Sequence, residues 1–373
     1  MATATPSSAA TSLSGSVFVL IQFDVCEELR LDVLQQALKQ EADTRTLRQP
    51  NLKQPAPSYV SYQRPPVTGR LDPLVLESGE RLEGEIKYYD YGVVSILYQL
   101  PFSGDWEDLV HLSSRWVWDV DFASRVEPIV REKLARIPQA MENPYTRWLS
   151  EDYFIFHVRE ATGTPSSKEM TSNFGAQIAQ VVRGDRVTLS EREINEVLQS
   201  QISYYAQDLA VITWNAAFLY DSTAGAETAI QLLEYANSQL LEFRHYDELL
   251  TEILDSVYDE LEKKNSLFSR WGMARNANRL HSVLLEVSEL TEHADNAIKF
   301  LSDMFAARLY KIAAARVGVP DYRDLVAQKL KTAEELYDFM VEQFNQSRAF
   351  ILEAMVVLIL LIELFYVFRG KPI

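Results

Sequence analysis

The pattern of hydrophobic and polar positions in the first part of the chain predicts strands interleaved with helices. Apolar runs rich in β-branched and aromatic residues are typical of strands, and apolar residues at helical spacing are typical of helices. The predicted strands are 16–25, 85–102, 151–160 and 208–221, and the predicted helices are 27–40, 121–141 and 190–205. We therefore expect an α+β domain over residues 16–224 with the element order β-α-β-β-α-β. Residues 1–15 are small, polar and uncharged, and we expect them to be disordered.

After Gly225 the pattern changes to long helices. Apolar positions alternate by three and four residues in three runs, which extend from Leu233 to Leu261, from Leu280 to Ile312 and from Val326 to Ile351. Spacing of this kind over many turns is typical of coiled coils and helical bundles. Residues 225–348 are therefore predicted to form a helical coiled-coil or bundle region.

The chain ends in a strongly apolar segment. Of the 20 residues from Ala349 to Phe368, 18 are apolar and the other two are Glu353 and Glu363. A transmembrane helix needs about 20 mainly apolar residues. We therefore predict a membrane anchor over 349–368 in a single-pass protein, with the bulk of the chain on the cytoplasmic side because the N-terminus lacks the features of a secretory signal. The alternative is a hydrophobic helix buried in the core of an oligomer.

Three charged residues are the candidate functional positions of this segment: Arg348, Glu353 and Glu363. An acidic residue within a membrane is by default a functional hypothesis. Glu363 could hold neighbouring copies of the helix together, or its side chain could simply reach the headgroups.

Composition and motifs exclude several classes of function. The net charge of −17 argues against a general nucleic-acid binder, and a single cysteine, Cys26, excludes an internal disulfide framework. The sequence contains no phosphate-binding loop, dinucleotide-binding turn, nucleophile elbow or zinc-protease motif. Glu242 and His245 form an ExxH pair without a second copy, which favours a solvated helix face over a metal site. We expect no catalytic residue, cofactor or metal.

The C-terminal motif resembles that of a known family. Arg348, Leu352 and Glu353, the apolar run 356–359 and then Glu363 are similar to the terminus of the "required for meiotic nuclear division" proteins. The sequences "LYDFMVEQFNQ" and "YYDYGVVSIL" resemble a helix and a strand of the same family. The chain departs from the family where Ala354 replaces a tryptophan and where Leu97-Tyr98 replaces a Phe-Trp pair. The resemblance implies a membrane-held protein linked to organelle translation, with no established catalytic residues.

Together these patterns predict a membrane-anchored interaction or scaffold protein that displays an α+β domain on a helical stalk. We expect a homo-oligomer or a protein partner, contact with a membrane through the C-terminal helix, and no direct contact with nucleic acid. The alternative is a membrane-tethered enzyme or ligand-sensing domain with its site within residues 16–221.

Overall fold

The computed structural model describes residues 12–44, 65–262, 282–283, 285 and 304–369. The chain forms two compact units, one comprising 1–245 with 293–322 and the other comprising 246–292 with 323–373. Most of the predicted disordered segment 1–15 lies outside the described residues. So does most of the second apolar run, from Leu280 to Ile312.

The first unit is built on one eight-stranded mixed sheet with the strand order β2-β3-β4-β1-β5-β8-β7-β6. The strands are β1 (Leu13–Leu29), β2 (Val67–Val75), β3 (Arg81–Tyr88), β4 (Val93–Gly104), β5 (Met141–Ala161), β6 (Gln201–Ile202), β7 (Leu209–Ile212) and β8 (Ala216–Tyr220). Neighbouring strands are antiparallel except β5 and β8, which run parallel. The two longest strands, β1 and β5, lie at the centre, so each is hydrogen-bonded along both sides.

One face of the sheet carries a continuous hydrophobic core that is shared with helices. Because side chains alternate between the two faces of a strand, β1 turns every second residue of its apolar run, from Val17 to Val25, toward this core. Trp106 packs against Phe174 and Phe218 in the same layer. The helices of the first unit before residue 200 are α1 (Leu31–Thr44), α2 (Trp106–Trp118), α3 (Phe122–Ala135), α4 (Ser167–Arg183) and α5 (Glu191–Leu198).

Short polar motifs fix where three of these helices begin. Asp105 and Ser166 each form a capping box with the acidic residue three positions later, at the starts of α2 and α4. The Ser190 hydroxyl accepts a hydrogen bond from the backbone N–H of Glu193 at the start of α5. These caps satisfy N–H groups that a helix leaves unpaired at its first turn.

The other face of the central strands is covered by α6 (Thr223–Glu262), a helix of 40 residues. Leu241 of α6 packs against Tyr89 and Val93 of the sheet region. Helix α7 (Met304–Val317) joins this layer, since the rings of Tyr235 and Tyr310 lie 5.6 Å apart. The first unit therefore has three layers, with helices on both faces of one sheet.

The predicted fold class is wrong. Instead of an α+β domain in the order β-α-β-β-α-β followed by a coiled coil and a membrane helix, the chain contains an eight-stranded mixed sheet with helices on both faces. The strand predicted over 208–221 is two strands, β7 and β8, joined by a tight turn at residues 213–215. A continuous apolar run does not show where a buried chain reverses.

The coiled-coil prediction over 225–348 is also not supported. In the first unit, α6 packs on a sheet, where Leu241 contacts Tyr89 and Val93. A buried helix face does not show in the sequence whether a sheet or another helix covers it. The second unit contains the later part of α6 and most of α8 (Val319–Phe368), a helix of 50 residues. There, Lys329 Nζ lies 2.6 Å from Asp247 Oδ1 and donates a hydrogen bond to Thr251.

The predicted transmembrane anchor over 349–368 is corrected as well. Within the described part of the chain, no helix is both long enough and apolar enough to cross a bilayer. At the end of α8, the structure describes the side chains of residues 352–369. They include Glu353, Glu363 and Arg369. The apolar side chains of this stretch are exposed, from 48% at Ile362 to 84% at Phe368. On this finding, the expected single-pass membrane localisation is wrong, whereas contact with a membrane stays a prediction.

Candidate functional site

A row of polar side chains crosses the middle of the sheet on the face that α6 covers. The strand registers align Lys87 on β3, Ser95 on β4, Gln22 on β1 and Glu151 on β5. Gln22 and Ser95 are fully buried. Polar groups removed from water are costly unless they form hydrogen bonds. This row therefore needs partners from the covering helix.

Helix α6 supplies those partners. Lys87 Nζ lies 2.5 Å from Glu234 Oε2, and the Ser95 hydroxyl donates to Glu234 Oε1 over 2.7 Å. Gln22 Nε2 donates to the backbone carbonyl of Glu234 over 3.0 Å. At the other end of the row, Arg244 forms an ion pair with Glu151. We call this set of contacts the polar layer.

A cluster of ionisable groups lies beside the polar layer, two residues further along β1. Asp24 is 2% exposed and Glu242 of α6 is 7% exposed. His245 Nδ1 lies 2.8 Å from Asp24 Oδ2, and the Tyr145 ring stacks on the imidazole with centroids 4.5 Å apart. We call Asp24, Glu242 and His245 the acid cluster. His245 is the last residue of the first segment of the first unit, 1–245.

Burial makes the acid cluster sensitive to protonation. Burial raises the pKa of Asp24, although the neighbouring His245 partly opposes that rise. Burial raises the pKa of Glu242 well above its usual value, and the charge of Asp24 adds to the effect. Among the described residues, Glu242 Oε1 has no hydrogen-bond partner. Two buried carboxyl groups that repel each other are costly to charge at the same time.

Cys26 adjoins the acid cluster but is not suited to act as a nucleophile. Its side chain is buried, and its Sγ donates to the backbone carbonyl of Glu28. Burial, followed by the charge of Asp24, raises the pKa of the thiol to about 12. Because the thiolate is the reactive form, Cys26 is inert while this arrangement holds.

The predicted site residues lie elsewhere. Glu353 and Glu363 are exposed on α8, and the side chain of Arg348 lies outside those that the structure describes. The prediction that Glu242 and His245 occupy a solvated helix face is wrong, since Glu242 is buried and His245 contacts Asp24. No group of three or more His, Cys, Asp or Glu residues could hold a metal ion in the described part of the chain.

One sequence signal could have located the polar layer and the acid cluster. Gln22 and Asp24 interrupt the apolar run "SVFVLIQFDV" at alternate positions, which places both on the same face of a strand. Polar residues within a central strand require buried partners. The positions of Gln22 and Asp24 do not show which helix supplies the buried partners, because Glu234 and Glu242 are more than 200 positions away in the sequence.

Comparison with known proteins identifies a family for the sheet. Residues 14–227 match the family model described as the N-terminal domain of the uncharacterized protein MJ0711. The uncharacterized protein MJ0711 of Methanocaldococcus jannaschii is 20% identical over 187 residues, which cover 50% of this chain and 57% of that protein. No solved structure matches. The resemblance to the "required for meiotic nuclear division" proteins is therefore wrong.

The family match covers the strands of the polar layer but little of α6. It includes Gln22, Asp24, Lys87 and Ser95 and ends at residue 227, before Glu234, Glu242 and His245. The chain thus spans a little over half the length of the curated relative.

Proposed function

The chain belongs to the family of the MJ0711 N-terminal domain, and we propose that it is a regulatory interaction protein whose sheet controls the position of helix α6. The acid cluster carries this proposal. It joins the central strand β1 to α6 at His245, where α6 passes from the residues of the first unit to those of the second. A change in its protonation alters how firmly the sheet holds the helix.

The chemistry of the contact supports control rather than simple attachment. An apolar contact would hold a helix on a sheet without the desolvation cost of buried ionisable groups. Buried polar groups are best attested where they set a register or operate a switch. Glu242, which lacks a hydrogen-bond partner for Oε1 among the described residues, is the group most responsive to pH. Catalysis at this cluster is disfavoured because both carboxyl groups are closed to a substrate.

The sign of the pH effect follows from the raised pKa values. A carboxyl group whose pKa is higher in the folded than in the unfolded protein stabilises the fold while it is protonated. That stabilisation is complete below the unfolded pKa and is lost as the pH rises through the folded pKa. We therefore expect the contact between α6 and β1 to weaken as the pH rises above the ordinary range of a carboxyl group. The other titratable groups around Glu242 are Asp24, Cys26, His245 and, stacked on His245, Tyr145.

Hydrogen exchange of α6 tests the proposal. After correction for the intrinsic exchange rate, protection of peptides covering residues 234–245 should fall as the pH rises from about 5 to about 8. Glu242→Gln keeps the shape of the side chain and removes the titration, so it should flatten this profile. Glu248→Gln, at an exposed position of the same helix, is the matched control and should behave as wild type. A profile that is the same in wild type and Glu242→Gln would overturn the proposal.

A further inference from the structure

A small cavity elsewhere in the first unit is lined by two side chains of opposite charge that form no ion pair with each other. It has a volume of about 120 Å³ and lies between the end of α4, α5, the turn from β7 to β8, and α7. Glu196 lines it from α5 and Arg316 lines it from α7. In the part of the chain that the structure describes, neither side chain forms an ion pair. A carboxylate and a guanidinium thus face the same small space without neutralising each other.

A second guanidinium and an aromatic ring complete the lining. Arg183 pairs through Nη2 with Glu193 at 2.6 Å, while its Nε is buried without a hydrogen-bond partner among the described residues. Trp214 is 61% exposed at the rim, although a large aromatic side chain gains from burial. Val197 gives the cavity an apolar wall. Guanidinium hydrogen-bond donors, a carboxylate acceptor and an apolar surface therefore line the same cavity.

We propose that this cavity binds a small zwitterion of the amino-acid class. The carboxylate of the ligand faces Arg316 and Arg183, its ammonium group faces Glu196, and its short side chain packs between Val197 and Trp214. A simple anion would be repelled by Glu196, and a simple cation would be repelled by the two arginines. Glu196 and Arg316 are both exposed to solvent, and a ligand with both charges complements the two side chains together.

The chemistry of the lining suits the carboxylate of this class of ligand. The carboxylate is recognised by guanidinium groups, which offer paired donors to its two oxygens.

Three probes that differ by one group test the assignment. L-alanine carries both charges, propionate lacks the ammonium group and ethylamine lacks the carboxylate. Binding to the full chain is measured by calorimetry and by tryptophan fluorescence. We expect L-alanine to bind at least about tenfold more tightly than either of the others, since each loses a charge-assisted contact. Equal affinity for propionate and L-alanine, or no binding of L-alanine, would overturn the proposal.

Variants locate the binding in this cavity. Arg316→Gln and Glu196→Gln should each weaken L-alanine binding by about tenfold or more. Arg308→Gln, on the same helix but outside the lining, should bind as wild type. Trp214→Phe should retain the heat of binding and lose most of the fluorescence change. Unchanged affinity in both Arg316→Gln and Glu196→Gln would place the ligand elsewhere and refute the assignment. Neither result depends on the response of α6 to pH.

Discussion

Lys87 on β3 and Glu234 on α6 form an ion pair, 2.5 Å between nitrogen and oxygen, in a layer where Glu234 is almost completely buried. The two residues are 147 positions apart and join the sheet to its covering helix. Burial lowers the pKa of Lys87, but the charge and hydrogen bond of Glu234 outweigh it, so the net shift is upward. Lys87 therefore keeps its charge beside the Glu234 side chain.

Removing one partner of this pair should destabilise the protein strongly. Glu234→Leu leaves the ammonium group of Lys87 buried without its carboxylate, and we expect a loss of about 3–5 kcal/mol in the free energy of unfolding. The double variant Lys87→Met/Glu234→Leu removes both charges and should be less destabilised than Glu234→Leu alone. Chemical denaturation of the four proteins in the double-mutant cycle gives the coupling energy. Additive effects of the two substitutions would show that the pair contributes no coupling.

The single cysteine should report on the opening of α6. With its pKa raised to about 12 from an ordinary 9.0, Cys26 carries roughly a thousandth of the thiolate of a free cysteine near neutral pH. Iodoacetamide should therefore modify it slowly in the native protein and quickly in urea. Glu234→Leu, which weakens the hold on α6, should accelerate labelling below the unfolding transition. Equal labelling rates in native wild type and unfolded protein would contradict the burial of this thiol.

Two glycines with similar backbone angles should differ in their tolerance of a side chain. Gly79 has φ +88° and Gly92 has φ +85°, so alanine is strained at both. At Gly79 an added Cβ meets nothing within 4 Å, whereas at Gly92 it would lie 1.8 Å from the backbone oxygen of Cys26. We expect Gly79→Ala to cost about 1–2 kcal/mol and Gly92→Ala to cost considerably more. Thermal unfolding of both variants measures the difference, and similar melting temperatures would contradict the close approach of Gly92 to the backbone of Cys26.

Part of the local structure in the sheet unit follows from the sequence. The patterns do not predict helices α2 and α4, and the strand predicted over 85–102 is two strands, β3 and β4. The apolar run at 16–25 lies within β1, and Ser190 begins α5 as its spacing with Glu193 predicts. The alternation of apolar residues in a strand and the capping of a helix are determined by residues that lie close together in the sequence. The central position of β1 and the parallel pairing of β5 with β8 depend on distant residues, and local patterns do not contain that information.

The same limit explains why the site was missed. Glu242 and His245 have the spacing of any two polar residues on an exposed helix face, and only the fold brings Asp24 beside them. The apolar spacing of α6 likewise does not distinguish a helix on a sheet from a helix in a coiled coil. Both errors arose because a helix pattern shows which face is buried and not what covers it.

The exposed apolar end of α8 should make the chain associate with itself in dilute buffer. Large exposed apolar patches promote contact between molecules, and the structure leaves Leu361 57% exposed among similar neighbours. Leu361→Lys places a charge where such a contact would bury it, which is costly, so the fraction of high-mass species in sedimentation velocity should fall. Gln328→Lys adds the same charge at an exposed polar position of the same helix and should leave the distribution unchanged. If both variants sediment as wild type does, the apolar end of α8 is not the surface through which copies associate.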